Sequence, residues 1–511
     1  MALLGNVAMV ATAGYVEAAI GLVAGVMIAR TLGPEGYGHY AFTIWMCGAL
    51  ILACNNAFPT STIKFLAEAR GAGRLDLAEA LVHRLARLQW LSSALVLGVF
   101  AVAMLVRPLS DWRDSMPLML CIALVAVWAR AGFWMLGAVG KGFEQFVPEN
   151  LALGVTAVLN LVLVSILAWR GASLEQFFAV YAVLGLASNL LVRMMLRRAG
   201  IHSRPATIPD ELKRRLHRHL VLTGIVMLMT AASQRAVEMM LLKIHTLPET
   251  VAFFAIAGAL TKGAVDLLTG GMSAVLLPAM SRRYGSGGAL SLASMFAEST
   301  RMYWFLGLAI AGLGITVSEG LVHLLYGRQY DGAITPLMWL LVIAGLVIVN
   351  AAASAVLTAS DRQLDRIRII VSAFLVNLVL GLVLIPRFGL YGAIASFGLT
   401  RLFETLFALW YTRRRTQVRL PYGPMSRLLF AAAVATALAW GTEELWHVEL
   451  AFVLGAVVFV MAYLSLSIVL RTWRSADFEL ASTLLSRLGG LGGVLSAHVL
   501  GLRRYAIAES P

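Results

Sequence analysis

Long apolar runs, interrupted by short polar or basic turns, fill the chain from residue 5 to residue 470. They lack the two-residue alternation of barrel strands, and several reach the ~20 residues that a helix needs to cross a bilayer core. In lipid every backbone group must be paired internally, so runs of this kind form helices. The pattern predicts about fourteen spans, at 5–29, 38–62, 88–106, 116–137, 150–168, 177–196, 219–242, 251–278, 302–325, 333–357, 369–385, 391–411, 428–446 and 450–470. The fold class expected is an all-α polytopic membrane protein.

The turn after the first span organises the rest. An apolar helix runs into Arg30 and meets Leu32-Gly33-Pro34, where Gly33 suits the left-handed position after a helix end and Pro34 the first turn of the next helix. The same breaker returns at Thr246-Leu247-Pro248-Glu249, 214 positions later. That offset also pairs Gly71 with Gly285, Arg87 with Arg301 and Trp90 with Trp304. Further on, Asn160-Leu161-Val162-Leu163 recurs as Asn377-Leu378-Val379-Leu380, with Arg197-Arg198 recurring as Arg414-Arg415. The chain therefore reads as one six-helix unit written twice. The implied organisation is an N-terminal six-helix lobe at 1–198, a basic linker at 199–218 and a second lobe at 219–415. Two further transmembrane helices follow at 428–470, and an amphipathic tail at 471–511. Parallel repeats of even helix number are related by an axis along the membrane normal.

Composition agrees: of 511 residues, 60% are hydrophobic and 13% charged. The net charge of +14 would suggest nucleic acid in a chain without apolar spans, but here the positive charge is sorted by membrane side. Arg70, Arg74, Arg84, Arg87, Arg197, Arg198, Lys213, Arg214, Arg215, Arg413, Arg414 and Arg415 all fall in loops on one side, whereas the other side holds few, among them Arg107, Lys243 and Arg328. The positive-inside rule then puts both termini in the cytoplasm, and one missed span would spoil the sorting. The start, MALLGNVAMV, lacks a basic n-region and reads as the first helix rather than a removable signal. Cys47, Cys54 and Cys121 lie in spans at spacings that suit neither zinc nor disulfides, so they read as packing residues. The segment Lys64 to Leu88 mixes leucines with basic residues and reads either as an amphipathic helix on the inner leaflet or as a solvated loop helix. Ala476 to Leu488 reads as a cytoplasmic surface helix. Gly489-Gly490-Leu491-Gly492-Gly493 after it follows no strand and is no phosphate loop.

The motif Ala29-Arg30-Thr31-Leu32-Gly33-Pro34-Glu35-Gly36-Tyr37-Gly38 resembles the N-terminal signature of bacterial oligosaccharide flippases. These are polysaccharide-biosynthesis proteins of the multidrug/oligosaccharidyl-lipid/polysaccharide (MOP) exporter superfamily. Leu384-Ile385-Pro386-Arg387-Phe388-Gly389-Leu390-Tyr391-Gly392 is similar to that family's junction between helices eleven and twelve. The resemblance covers residues 1–415. It implies two lobes around a cavity lined by helices 1, 2, 7 and 8, in the bacterial inner membrane. It also implies translocation of an undecaprenyl-pyrophosphate-linked oligosaccharide to the outer leaflet by alternating access. The partners implied are that lipid-linked glycan, membrane lipids, and the glycosyltransferases, polymerase or chain-length regulator of a polysaccharide pathway. Two alternatives stay open: a multidrug or cation antiporter of the same superfamily, and a membrane subunit of a polysaccharide synthase or secretion complex.

An ionisable side chain inside a span costs at least ~2.5 kcal/mol, so each asks for a reason. Arg235/Glu238 and Arg401/Glu404 are i,i+3 pairs and Lys262/Asp266 is i,i+4, so each pair shares a helical face. Such pairs either make their helices insertable or line a wet cavity. In the second reading Arg235, Lys262 and Arg401 bind pyrophosphate, and Glu238, Asp266 and Glu404 serve ion coupling. Asn55 and Asn56 either hydrogen-bond sugar or tie helices together. Arg130, between Trp128 and Trp134, is expected to snorkel to an interface. Glu17 has no basic residue within a turn and is expected to pair with Arg235 or Lys262, either as a static buried salt bridge or as an ion-coupling carboxylate. The chain contains no Walker motif, no nucleophile elbow and no cofactor-binding pattern, which points away from an enzyme.

Overall fold

The computed structural model describes residues 2–232, 235–360, 362–416, 420–445 and 451–486, with 496 and 501. The described residues are mostly helical and contain no strand. They form two compact units, Met1–Ala255 and Ile256–Pro511.

Unit 1 holds α1 (Ala2–Asn55), α2 (Phe58–Gly71), α3 (Leu75–Val106), α4 (Met116–Gly142), α5 (Val147–Trp169), α6 (Leu174–Arg198), α7 (Asp210–Ala232) and α8 (Ala236–His245). It ends within the first turns of α9 (Pro248–Ser291). The long α1 is two helical arms joined at Gly33, whose φ of 69° is the left-handed geometry the sequence asks for, with Pro34 opening the second arm. The second arm is held close to the next breaker. A Cβ on Gly38 would lie 1.9 Å from the Pro248 carbonyl oxygen, so only glycine fits where the two turns meet.

The segment 64–88 is neither of the surface helices expected. Leu66, Leu81 and Leu85 are fully buried and Leu77 nearly so, packed with Phe133, Val192 and Leu216 from α4, α6 and α7. Only Leu75 remains exposed. The leucine stripe fits a protein core as well as a membrane surface, and here helices cover it.

Unit 2 continues through α10 (Ala293–Tyr326), α11 (Ile334–Val347), α12 (Asn350–Ala359), α13 (Gln363–Thr416), α14 (Tyr422–Leu445), α15 (Ala451–Val469) and α16 (Ser475–Ser486). Like α1, α13 is two arms, meeting at Gly389 with φ 53° three residues after Pro386. Leu308 of α10 packs with Ala431, Ala435, Phe459 and Tyr463 of α14 and α15. The tail helix α16 is docked rather than lying free: Phe478 is buried, and Asp477 makes an ion pair with the buried Arg301 at 2.7 Å. The glycine run after α16 lies outside the described residues.

Eleven of the described helices are long and apolar enough to cross a membrane, with α1 and α13 each counted once. Their outward faces are apolar. Val99, Val102, Leu105 and Val106 on α3, and Leu375, Val379 and Leu382 on α13, are each more than half exposed. In water such patches drive association, whereas in lipid they are the natural surface. The molecule is an all-helical, multi-pass membrane protein.

Candidate substrate and ion sites

Arg130 of α4 is the cation that the sequence placed wrongly. It does not snorkel between tryptophans but turns into unit 1, its guanidinium carbon 3.7 Å from the centre of the Tyr181 ring on α6. Its Nη2 donates to the Tyr181 carbonyl at 3.4 Å, while its buried Nε has no hydrogen-bond partner. Gly185, one turn beyond Tyr181, gives the arginine stem room to lie flat. Tyr40, Tyr37 and Cys47 from the second arm of α1 complete the surroundings. Two carboxylates belong to this interior. Glu17 of α1 feels the charges of Arg130 and Glu149. Glu149, at the start of α5, is buried against Gly137 and takes a hydrogen bond from Lys141 at 2.9 Å. Its Oε2 is buried without a hydrogen-bond partner.

Arg235 and Glu238 sit where the seventh predicted span is broken. Arg235 precedes α8 with a left-handed φ of 61°, and Glu238 is fully buried in the first turn of α8. A non-glycine residue held at positive φ is uncommon and clusters at functional sites. Asn55 and Asn56 mark another break, between α1 and α2. Asn55 is buried and accepts from Gln89 of α3 at 3.2 Å, which ties two helices together. Asn56 takes φ 39° and lies against Gly224 of α7, with its buried Oδ1 lacking a hydrogen-bond partner.

At the end of unit 1 expected to face outward, one carboxylate joins three elements. Asp111, in the turn Ser110–Trp112, has its Oδ2 at 2.6 Å from His39 Nδ1 and paired with Lys243, the C-terminal charge of α8. Its Oδ1 accepts from Ser110 Oγ at 2.8 Å. Lys243 also lies over the Phe42 ring at 5.4 Å. Burial alone would raise the Asp111 carboxyl, but hydrogen bonds from His39, Lys243 and Ser110 and the Lys243 charge hold it well below the ordinary carboxylate range. This clamp spans 72 and 132 positions of chain, and no local pattern announces it.

In unit 2 the two helical pairs form as the spacing implies. Lys262 and Asp266 pair on an exposed face of α9. Arg401 and Glu404 pair at 2.7 Å in α13, with Asn350 of α12 donating to Glu404 at 3.4 Å and the Phe397 ring 5.3 Å from the guanidinium. Both pairs are self-neutralising within their helices.

This fold is shared with several solved transporters. The lipid II flippase MurJ in an inward closed conformation is similar at a TM-score of 0.72, with 12% identity over 89% of this chain and 97% of that one. An inward-facing multidrug resistance MATE transporter of the MOP superfamily is similar at 0.65, with 15% identity over 78% and 94%. A MOP superfamily transporter from Pyrococcus furiosus, described as having a binding pocket of reverse polarity, is similar at 0.55, with 14% identity over 81% and 95%. At these identities the likeness establishes the fold. Among curated proteins none matches the chain. Residues 3–283, more than half of the sequence, match the family model described as polysaccharide biosynthesis protein. The chain belongs to the polysaccharide biosynthesis protein family.

Proposed function

We propose that the protein is a flippase that carries an undecaprenyl-pyrophosphate-linked oligosaccharide from the inner to the outer leaflet by alternating access. The observation that carries this reading is Arg130: a guanidinium inside an apolar bundle, stacked on Tyr181 and with a buried N–H still free to donate. An arginine held this way suits a phosphate oxygen, because its fork is planar, always charged and oriented before the ligand arrives. Glu17 is the counter-charge that holds Arg130 between turnovers. It is released when a phosphate takes its place, and it then becomes free to accept a proton or metal cation. Arg235, at the strained start of α8, supplies a second cation in unit 1. In unit 2, Lys262 and Arg401 are cationic contacts to be tested singly, with Asp266 and Glu404 as their carboxylates. Asn56 is the stronger sugar-binding candidate of the two asparagines, since Asn55 is already engaged.

The test is Arg130→Gln in cells that depend on this chain for surface glycan. Export should be lost, at least tenfold, with membrane insertion and protein level normal. Arg130→Lys should rescue only in part, because an ammonium cannot stack flat and donate as a fork. Full export by Arg130→Gln overturns the assignment. Export of organic cations by the wild type would instead favour the antiporter reading, to which the buried Glu149 and Glu238 give some support.

A further inference from the structure

A second basic feature of unit 1 lies away from Arg130. A cleft of about 550 Å³ opens between α3, α4, α6 and the chain that follows α6. Its rim carries Arg193, Arg197, His202, Ser203 and Arg204, and its floor is apolar, formed by Val82, Ala86, Met135, Leu136, Val139 and Leu196. The floor residues Val82, Met135, Val139 and Leu196 belong to the core of the unit, so the cleft has a rigid base. The rim is anchored on both sides of its polar residues, by the half-buried Ile201 and the buried Ile208. His83 Nδ1 lies 3.2 Å from Ser203 Oγ, which holds the rim against α3.

The charge of this rim is only partly answered. Arg204 lies 3.6 Å from Glu79, and among the described residues no ion pair reaches Arg193 or Arg197. Arg193 is twelve residues beyond Tyr181 on α6, about 18 Å further along the helix axis at the helical rise. That distance separates the cleft from the Arg130 interior and puts it at the basic end of the bundle, which the positive-inside rule assigns to the cytoplasm.

We propose that this cleft binds an anionic phospholipid of the inner leaflet, with the phosphate between Arg193 and Arg197 and an acyl chain along the floor. Basic pockets between transmembrane helices on the cytoplasmic side suit such head groups, since the site supplies charge where the head lies and apolar surface where the chain begins. A free anion would use the rim and leave the apolar floor uncovered. The lipid uses both. Bound there, it would bridge α3, α4, α6 and the linker between the two repeats. The site does not depend on the flippase reading, because lipid retention is measured without transport.

The experiment uses the purified full-length protein in detergent, with lipid retention read by native mass spectrometry. The probes are phosphatidylglycerol, phosphatidylcholine with the same chains, and inorganic pyrophosphate. The wild type should retain phosphatidylglycerol in preference to phosphatidylcholine. Arg193→Gln with Arg197→Gln should weaken that retention at least tenfold more than Arg84→Gln with Arg87→Gln, which removes equal charge from the exposed side of α3. Ala86→Trp keeps every charge but fills the floor, and it should abolish phosphatidylglycerol retention. Equal losses in the two arginine pairs would mean diffuse surface charge and overturn the site. So would unchanged retention in Ala86→Trp, or inorganic pyrophosphate binding to the wild type as strongly as phosphatidylglycerol does.

Discussion

Replacing Asp111 with Asn should free the outer end of α8. In the native structure the Asp111 carboxylate is mostly buried, its side chain 12% exposed, and it pairs with a Lys243 side chain that is 13% exposed. Removing one partner of a buried pair costs about 3–5 kcal/mol, chiefly because the other charge is left unanswered. Two features lower the figure here. Asn keeps an acceptor oxygen for Ser110 or His39, and Lys243 keeps the Phe42 ring at 5.4 Å. A loss of about 2–3 kcal/mol follows, equivalent to roughly a 30- to 150-fold rise in local opening. Hydrogen exchange followed by mass spectrometry reads this directly as faster exchange over Met239–His245, while α4 and α6 keep their protection. The pH dependence has a definite sign. A carboxylate whose native pKa is lowered contributes fully above its unfolded value, near 3.9, and loses that contribution only as the pH falls below it. Asp111 therefore gives no change in α8 protection between pH 5 and 8 once intrinsic exchange is corrected. A threefold or smaller effect of Asp111→Asn would refute the clamp. A wild-type change across that pH window would mean that the Asp111 carboxylate does not set the clamp's strength.

Two other perturbations test the packing. Asp477→Ala removes the acceptor of two charge-assisted hydrogen bonds, from Arg301 at 2.7 Å and from the Arg474 backbone at 2.8 Å, and leaves Glu298 at 3.5 Å as the remaining counter-charge of Arg301. The loss should be about 3 kcal/mol and speed tryptic cleavage at Arg474 by roughly two orders of magnitude, whereas the double change Arg301→Met with Asp477→Leu should restore much of the resistance. Gly38→Ala should abolish a monodisperse folded product on size-exclusion chromatography, because the new methyl meets the Pro248 carbonyl. Gly48→Ala, where nothing lies within 4 Å, should be tolerated, and comparable yields of the two would show that the turns do not meet as described.

What the sequence discloses depends on the distance over which each feature is encoded. The Gly33 kink is legible because glycine and proline act on their own dihedrals, and the same holds for Pro386 and Gly389. The pairs Lys262/Asp266 and Arg401/Glu404 are legible because one helical turn fixes their separation. The leucines of 64–88 are half legible. Periodicity shows a stripe, but whether lipid or protein covers it is decided by Phe133 and Leu216, which come from distant helices. Arg130 shows the limit: its sequence neighbours Trp128 and Trp134 suggest an interface, while the residue that turns it inward is Tyr181, 51 positions away. The Asp111 clamp is illegible for the same reason.

Several polar groups of unit 1 are left over by its packing, and they bear on the proposed function. Arg130 Nε, Asn56 Oδ1 and Glu149 Oε2 are all buried without a hydrogen-bond partner. Each such atom costs about 1–3 kcal/mol relative to an apolar isostere, and a bundle with this much aliphatic surface has no structural need of them. They are also unlike in chemistry: a donor with fixed positive charge, a neutral acceptor held at φ 39°, and a carboxylate. Arg130 and Glu149 both act on Glu17, so a change of charge at either is felt there. An apolar passenger would gain nothing from this set.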